Sequence, residues 1–371
     1  MATIHDVARL AGVSSVTVSR VINRAGNVKP ATQTRVEQAI EALGYVPSGV
    51  AQSMRSKRTR TLALIVPDIQ NVFWTTVARG VEDATQSRAY SVYLCNTDED
   101  LAKQERYLDV LISQRVDGVI IAPCSAAAEP MVRLRDRAIP TVMIDRRVDG
   151  WEADNVSGDS LNGARSLVQH LIALGHRRIA MLAGPATTTT ASDRVAGYRQ
   201  ALAEAGIAVD PRLIHFGEYK AQSGAQMLAR IWEAPSPPTA VFAANNAIAM
   251  GVIAEAGRRG LRIPHDLALV CFDDLPDASS QLFPFLTVAA QPAYEIGARA
   301  AELLFDRLEG GDALPPRRVV LPTQLIIRAS CGNQLAHSNG HGLSLPLTDT
   351  PELSQSGLPS NGRATIERIH P

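Results

Sequence analysis

The sequence predicts an α/β protein in two unlike parts. A small all-α domain comes first, and a two-lobed body built on parallel sheets follows. Three observations predict this. Residues 1–60 hold nine Lys or Arg against three Asp or Glu, a net of +6, although the chain of 371 residues is formally neutral. Within them the stretch "GVSSVTVSRVIN", residues 12–23, sets Val18, Val21 and Ile22 at helical spacing behind a glycine and serines. From Thr61 onward, apolar runs of four to six residues alternate with amphipathic stretches, and the rhythm occurs twice. Short buried strands alternating with helices form parallel sheets, and the length allows two or three domains.

The helical part reads in order. Thr3 is an N-cap for "IHDVARLA", with Ile4, Val7, Ala8 and Ala11 on one face and Asp6 in the first turn. Gly12 ends that helix, and Ser14 caps a second over "SVTVSRVI". The β-branched residues of this stretch also suit a strand, but the flanking caps decide for a helix. Pro30 fits the first position of a third helix, which carries Val36, Ala39, Ile40 and Leu43 inward and stops at Gly44. Helix, glycine turn, short helix and supporting helix make a helix-turn-helix domain over residues 1–46.

A basic first sixth on a mildly acidic body is a nucleic-acid footprint, against the alternatives of a solvated basic face or a purely structural three-helix bundle. The second helix would turn Ser15, Val16, Ser19 and Arg20 outward. Arg20 can fork onto guanine O6 and N7, and Ser15 and Val16 offer hydroxyl and methyl contacts. Thr3, Thr17, Asn23, Thr32 and Arg35 suit phosphates. Residues 47–60, "PSGVAQSMRSKRTR", combine Pro47, one large apolar residue (Met54) and a basic run. They read either as a helix that forms on DNA and wedges the minor groove, or as a plain linker.

In the body, residues 61–331, polar side chains gather where strands finish: 68–71 with Phe73 and Trp74, 96–98, Asp145 and Arg146, 187–194, Tyr219, Asn245 and Asn246, Asp273 and Asp274. Any one of them could merely cap a helix. As a set at successive strand ends they point to a cleft for a sugar-like molecule. No GxGxxG follows a strand and no Walker lysine motif occurs, which argues against a nucleotide fold. Cys95, Cys124, Cys271 and Cys331 lack metal-ligand spacing, so neither a metal nor a cofactor is expected. No apolar run reaches membrane-spanning length and no secretory signal opens the chain, so a cytoplasmic protein without a membrane partner is expected. The Ser/Gly/Pro-rich residues 332–371 read as a disordered tail.

The run "TIHDVARLAGVSSVTVSRVIN", the following "LGYVPS" and "GVAQSMRS" resemble the LacI/GalR family of bacterial transcriptional regulators. The likeness continues through "HLIALGHRRIAMLAGP", "SDRVAGYRQAL", "FAANNAIAMG", "IPHDLALVCFDD" and "LTVAAQPAYEIGARAAELL", which resemble the family's periplasmic-binding-protein-like effector domain. The resemblance implies that Ser15, Val16 and Arg20 read bases. It implies a hinge helix over 48–56 that brings Ala51 and Met54 to the DNA, with methionine where the family usually has leucine. It makes Arg194 the effector-binding arginine and Asp273 the carboxylate that grips ligand hydroxyls. Asn245 then faces the cleft, and Phe73, Trp74, Asp145, Thr190 and Tyr219 form its variable wall. Asn246 departs from the family's usual acid, which leaves room for a ligand carrying a carboxylate or phosphate. The expected partners are double-stranded operator DNA, a small effector and a second copy in a homodimer. The expected function is a repressor rather than an enzyme, for which no nucleophile–histidine pair is evident. A transport-type sugar-binding protein without a DNA role is the alternative.

Overall fold

The computed structural model describes residues 2–23, 25–46, 58–274, 285–310 and 315–332. The expectations for a hinge helix over 48–56, with Ala51 and Met54, and for a disordered tail after 332 lie outside the described residues.

The N-terminal helices are α1 (Ile4–Ala11), α2 (Ser15–Ile22) and α3 (Pro30–Leu43). Each end has a local cause. The Thr3 hydroxyl accepts from Asp6 N–H at 3.3 Å while the Asp6 carboxylate accepts from Thr3 N–H at 3.0 Å, a capping box on α1. Ser14 Oγ accepts from Thr17 N–H at 3.2 Å and starts α2. Gly12, at φ 67°, supplies the left-handed turn between them that a side chain would resist. Val7, Ala8, Ala11, Val18, Val36 and Ala39 are buried together and hold the three helices as one small core.

The body holds two six-stranded sheets. The first, lobe 1, orders its strands β11-β5-β4-β3-β1-β2, where β1 is Thr61–Val66, β2 Ser91–Asn96, β3 Gly118–Ile121, β4 Thr141–Ile144, β5 Asp154–Gly158 and β11 Arg318–Leu321. The second, lobe 2, orders β12-β10-β9-β8-β6-β7, with β6 Ile179–Ala183, β7 Ile214–Phe216, β8 Ala240–Ala243, β9 Ala268–Phe272, β10 Thr287–Ala290 and β12 Gln324–Ile326. Every pairing is parallel except β10 with β12. Strand β1 shows the two-residue alternation plainly. Leu62 and Leu64 join one apolar layer, and Ala63 and Ile65 join the other.

Helices cover both faces. Lobe 1 carries α4 (Val72–Gln86), α5 (Leu101–Ser113) and the short α6 (Val132–Asp136). Lobe 2 carries α7 (Ser160–Ala173), α8 (Thr189–Glu204), α9 (Ala221–Trp232) and α10 (Asn246–Arg258). The last described α-helix, α11 (Ala293–Gly310), returns to lobe 1, where Ile296, Ala300 and Leu304 are buried with β1 and α4. The two helices touch closely. A Cβ on Gly80 would overlap the carbonyl of Tyr294, and one on Gly297 would overlap that of Val77. The chain therefore crosses between lobes three times, after β5, after β10 and between β11 and β12. The two rhythmic sets of the sequence are nearly, but not wholly, the two lobes.

Candidate effector cleft and DNA-reading helix

Parallel strands deliver their carboxyl ends to one edge of each sheet, and the two edges face each other across a cleft. Its lining brings together all eight residues expected there: Phe73, Trp74, Asp145, Thr190, Arg194, Tyr219, Asn245 and Asp273. It adds Glu99, Arg146 and Lys220. Asp274, though at a strand end, is turned into a two-pronged pair with Arg328 at 2.7 Å and does not line the cleft.

Arg194 rises from the second turn of α8 into the cleft floor. Its Nη1 donates to Ala244 O at 2.6 Å, its Nε to Ser160 Oγ at 3.3 Å, and its guanidinium lies 3.8 Å over the Phe272 ring. These contacts fix the fork and leave Nη2 for a ligand. Asp145 and Asp273 flank it from the two lobes, both buried and both at positive φ. Burial pushes the Asp273 carboxyl up to about 6, with the Arg194 charge and the Gln291 amide, which donates at 2.6 Å, pulling against it. Burial raises Asp145 too, opposed by Arg194 and Arg146. A carboxylate that accepts hydroxyl hydrogens and an arginine that donates are complementary to polyols.

The walls are set by neighbours. Arg146 forks onto Glu99, both bonds at 2.6 Å, and its guanidinium lies 5.6 Å from the Tyr219 ring of the other lobe. Burial opposes the Arg146 charge, but Glu99 outweighs it and keeps the group firmly protonated. The Tyr219 hydroxyl meets Thr190 Oγ1 at 3.2 Å. Phe73 and Trp74 stand edge to face at 4.8 Å beside Asn71, whose side chain caps α4. Asn245 caps α10 through its Oδ1, so only its amide NH2 is left for a ligand.

Several contacts tie the lobes beside the cleft. Asn71 and Asn246 exchange amide hydrogen bonds at 2.9 and 3.0 Å, and Arg147 forks onto Asp193 at 2.9 and 3.1 Å. Arg147 N–H also donates to Thr189 Oγ1 and Ala126 N–H to Thr187 O, each at 3.0 Å. Asn246 is thus spent on the opposite lobe. Sequence reasoning placed Asn246 at a strand end but had no signal for its partner, 175 residues away. Glu99 and Lys220 were also missed, because each sits in a polar loop where charge is ordinary.

On α2, Val16 is 59 % exposed and Arg20 is exposed, while Val18 is fully buried. A short helix that shows to solvent a valine and an arginine without an ion-pair partner among the described residues has the surface that a major groove takes up. Ser15 is half-buried at the start of that face. The Thr17 hydroxyl is 3.0 Å from Ser14 Oγ, and Asn23 closes α2 with its amide donating to Ser19 O at 2.5 Å. Thr3 belongs to the capping box, Thr32 is half-buried in the first turn of α3, and Arg35 is exposed one turn on.

A helix-turn-helix ahead of a two-lobed ligand cleft defines a ligand-controlled DNA-binding regulator. Residues 3–48 match the bacterial regulatory proteins of the lacI family, and residues 168–331 match a periplasmic binding protein-like domain. The HTH-type transcriptional repressor PurR of Aliivibrio fischeri is 36 % identical over 340 residues, covering 90 % of this chain and all of that one. A solved complex of the transcriptional regulator CelR with cellobiose is 34 % identical with a TM-score of 0.67, covering 89 % of this chain and all of that one. The lac repressor dimer bound to operator and the anti-inducer ONPF is 27 % identical with a TM-score of 0.78, covering 89 % and 99 %. The chain belongs to the lacI family of bacterial transcriptional regulators. No helix among the described residues is long and apolar enough to cross a membrane.

Proposed function

We propose that this chain represses transcription as a homodimer on a two-fold operator, and that a small uncharged polyol, a sugar or close relative, controls it from the cleft. The observation that carries the effector class is the floor of the cleft. One arginine lies between two buried carboxylates, one from each lobe, beside Phe73, Trp74 and Tyr219. Hydroxyls can donate to both carboxylates and accept from the arginine, and ring faces cover the apolar side of a sugar. Carboxylates outnumber cations along the lining, which disfavours an anionic ligand despite the amide at Asn246. In this reading α2 docks in the major groove, with Ser15, Val16 and Arg20 at base edges and Thr3, Thr17, Asn23, Thr32 and Arg35 toward phosphates.

A ligand held by both lobes favours the closed arrangement, and DNA affinity changes only as far as the two arrangements differ in both affinities. The matched DNA-binding region disfavours a transport-type sugar-binding protein. The test is a thermal-shift screen of the full chain against sugars, sugar acids, sugar phosphates and nucleosides. A ligand that binds only the folded state raises the melting temperature. Sugar hits that alter operator binding support the reading; a hit confined to sugar phosphates or acids overturns the uncharged class.

A further inference from the structure

Lobe 1 is polarised along its strands. Where strands finish, it presents Asp68, Asp98, Glu99 and Asp145 to the cleft. Where β1, β3, β4 and β11 begin, it presents Arg60, Arg115, Arg137 and Arg318. All four arginines are exposed, and among the described residues none has an ion-pair partner. The carboxylates at this end are already engaged. Asp117 accepts from Thr59 N–H at 2.8 Å, Thr59 Oγ at 2.9 Å and Arg60 N–H at 3.0 Å. Asp154 is fully buried between Arg307 and Arg317, and Asp306 pairs with Arg317. An open groove of about 540 Å³ lies here, with Arg58, Arg115, Arg137 and Arg307 around an apolar floor of Val116 and Ile139.

We propose that this groove binds backbone phosphates of the operator duplex, outside the bases that α2 reads. Guanidinium forks match phosphate oxygens. The chain that arrives from the helix-turn-helix domain enters lobe 1 at this groove, at Arg58. Residues 47–57 limit its distance from Val46 to roughly 40–43 Å even when fully extended, at about 3.3–3.6 Å per residue. Duplex DNA carries a charge about every 1.7 Å of its axis, so DNA held by α2 brings many phosphates within that radius. The carboxylates at the far end of the same strands repel it, which orients the lobe with its arginines toward the duplex.

The inference rests on the operator-binding reading, and the two fail differently. The variant is Arg115→Ala with Arg137→Ala, in the full chain; both side chains are exposed and without ion-pair partners, so the melting temperature should not change. Affinity is measured against salt on a long operator duplex and on one trimmed to the two half-sites. On the long duplex the variant's log–log salt slope should be shallower by about 1–2, at roughly 0.9 per phosphate. Operator and random long duplexes should weaken by the same factor, and on the trimmed duplex the two proteins should agree. Coincident slopes on the long duplex, or an equal loss on the trimmed one, overturn the proposal. So does tripolyphosphate raising the wild-type but not the variant melting temperature with unchanged slopes, which would assign the groove to a free anion. A wild-type chain that binds no operator at all would instead sink the operator-binding reading.

Discussion

Asp145 and Asp273 occupy the same station in the two lobes. Each stands one residue past the fourth strand of its sheet, β4 or β9, at φ 61° and 69°. Each donates its backbone N–H to the neighbouring strand, Asp145 to Val156 O at 2.9 Å and Asp273 to Ala289 O at 3.0 Å. A left-handed aspartate costs strain, which the surrounding sheet must hold in place. That strain lifts each carboxylate off its strand and into the cleft, so an internal two-fold repeat yields a matched pair of acceptors.

The pair makes the cleft pH-sensitive, through Asp273 first. Its folded value of about 6 lies above the ordinary 3.8, so the folded state holds its proton longer than the unfolded one. The stability it contributes is present below about 4 and is lost as pH rises through 6. Asp273→Asn should therefore melt with the wild type near pH 4 and above it at pH 7.5. Polyol affinity runs the other way, because the ionised form accepts hydroxyls. It should fall by up to tenfold per pH unit below about 6 in the wild type, and calorimetry from pH 5 to 8 would show a flat profile in the variant.

Arg194→Lys keeps the charge and loses the fork. The lysine cannot serve Ala244 O, Ser160 and a ligand together from one point. Effector affinity should drop by a hundredfold or more, while operator affinity without effector stays within about twofold. Gel-shift titration with and without the screened ligand reads both. A normal effector response would remove Arg194 from the site.

Arg20→Ala tests the reading helix. Operator binding should weaken by about 1–3 kcal/mol, with a much smaller loss on random duplex. Competition binding at fixed salt separates the two, and equal losses would place Arg20 on phosphates instead.

Asn246→Ala removes both hydrogen bonds of the amide exchange with Asn71 that ties the lobes. Each hydrogen bond of this kind contributes about 0.5–1.5 kcal/mol. Effector should bind roughly five- to a hundredfold more weakly, mainly through faster release measured by stopped flow. An unchanged release rate would show that the Arg147–Asp193 pair and the backbone bonds to Thr187 and Thr189 hold the cleft without it.

Much of this was legible in sequence, for identifiable reasons. Thr3, Gly12, Ser14, Pro30 and Gly44 are punctuation with fixed backbone preferences, so the three N-terminal helices could be bounded almost to the residue. Alternating runs announced the sheets, and strand ends announced the cleft. What escaped were facts of long range. Strand β5, "DNVSG", is buried yet polar in composition, because the Asp154 carboxylate finds Arg307 and Arg317 more than 150 residues away. Helix α11 looks like a lobe 2 helix by position, and its close packing on α4, Gly80 against Tyr294 and Gly297 against Val77, reveals its true neighbour.

The triple crossing between lobes also bears on how the molecule comes into being on the ribosome. Lobe 1 waits for α11 and β11, so its sheet is finished only at Leu321, and lobe 2 waits for β12, so its sheet is finished only at Ile326. The helix-turn-helix core is complete by Leu43. For most of its synthesis the nascent chain therefore holds a finished DNA-reading head on an unfinished sensor.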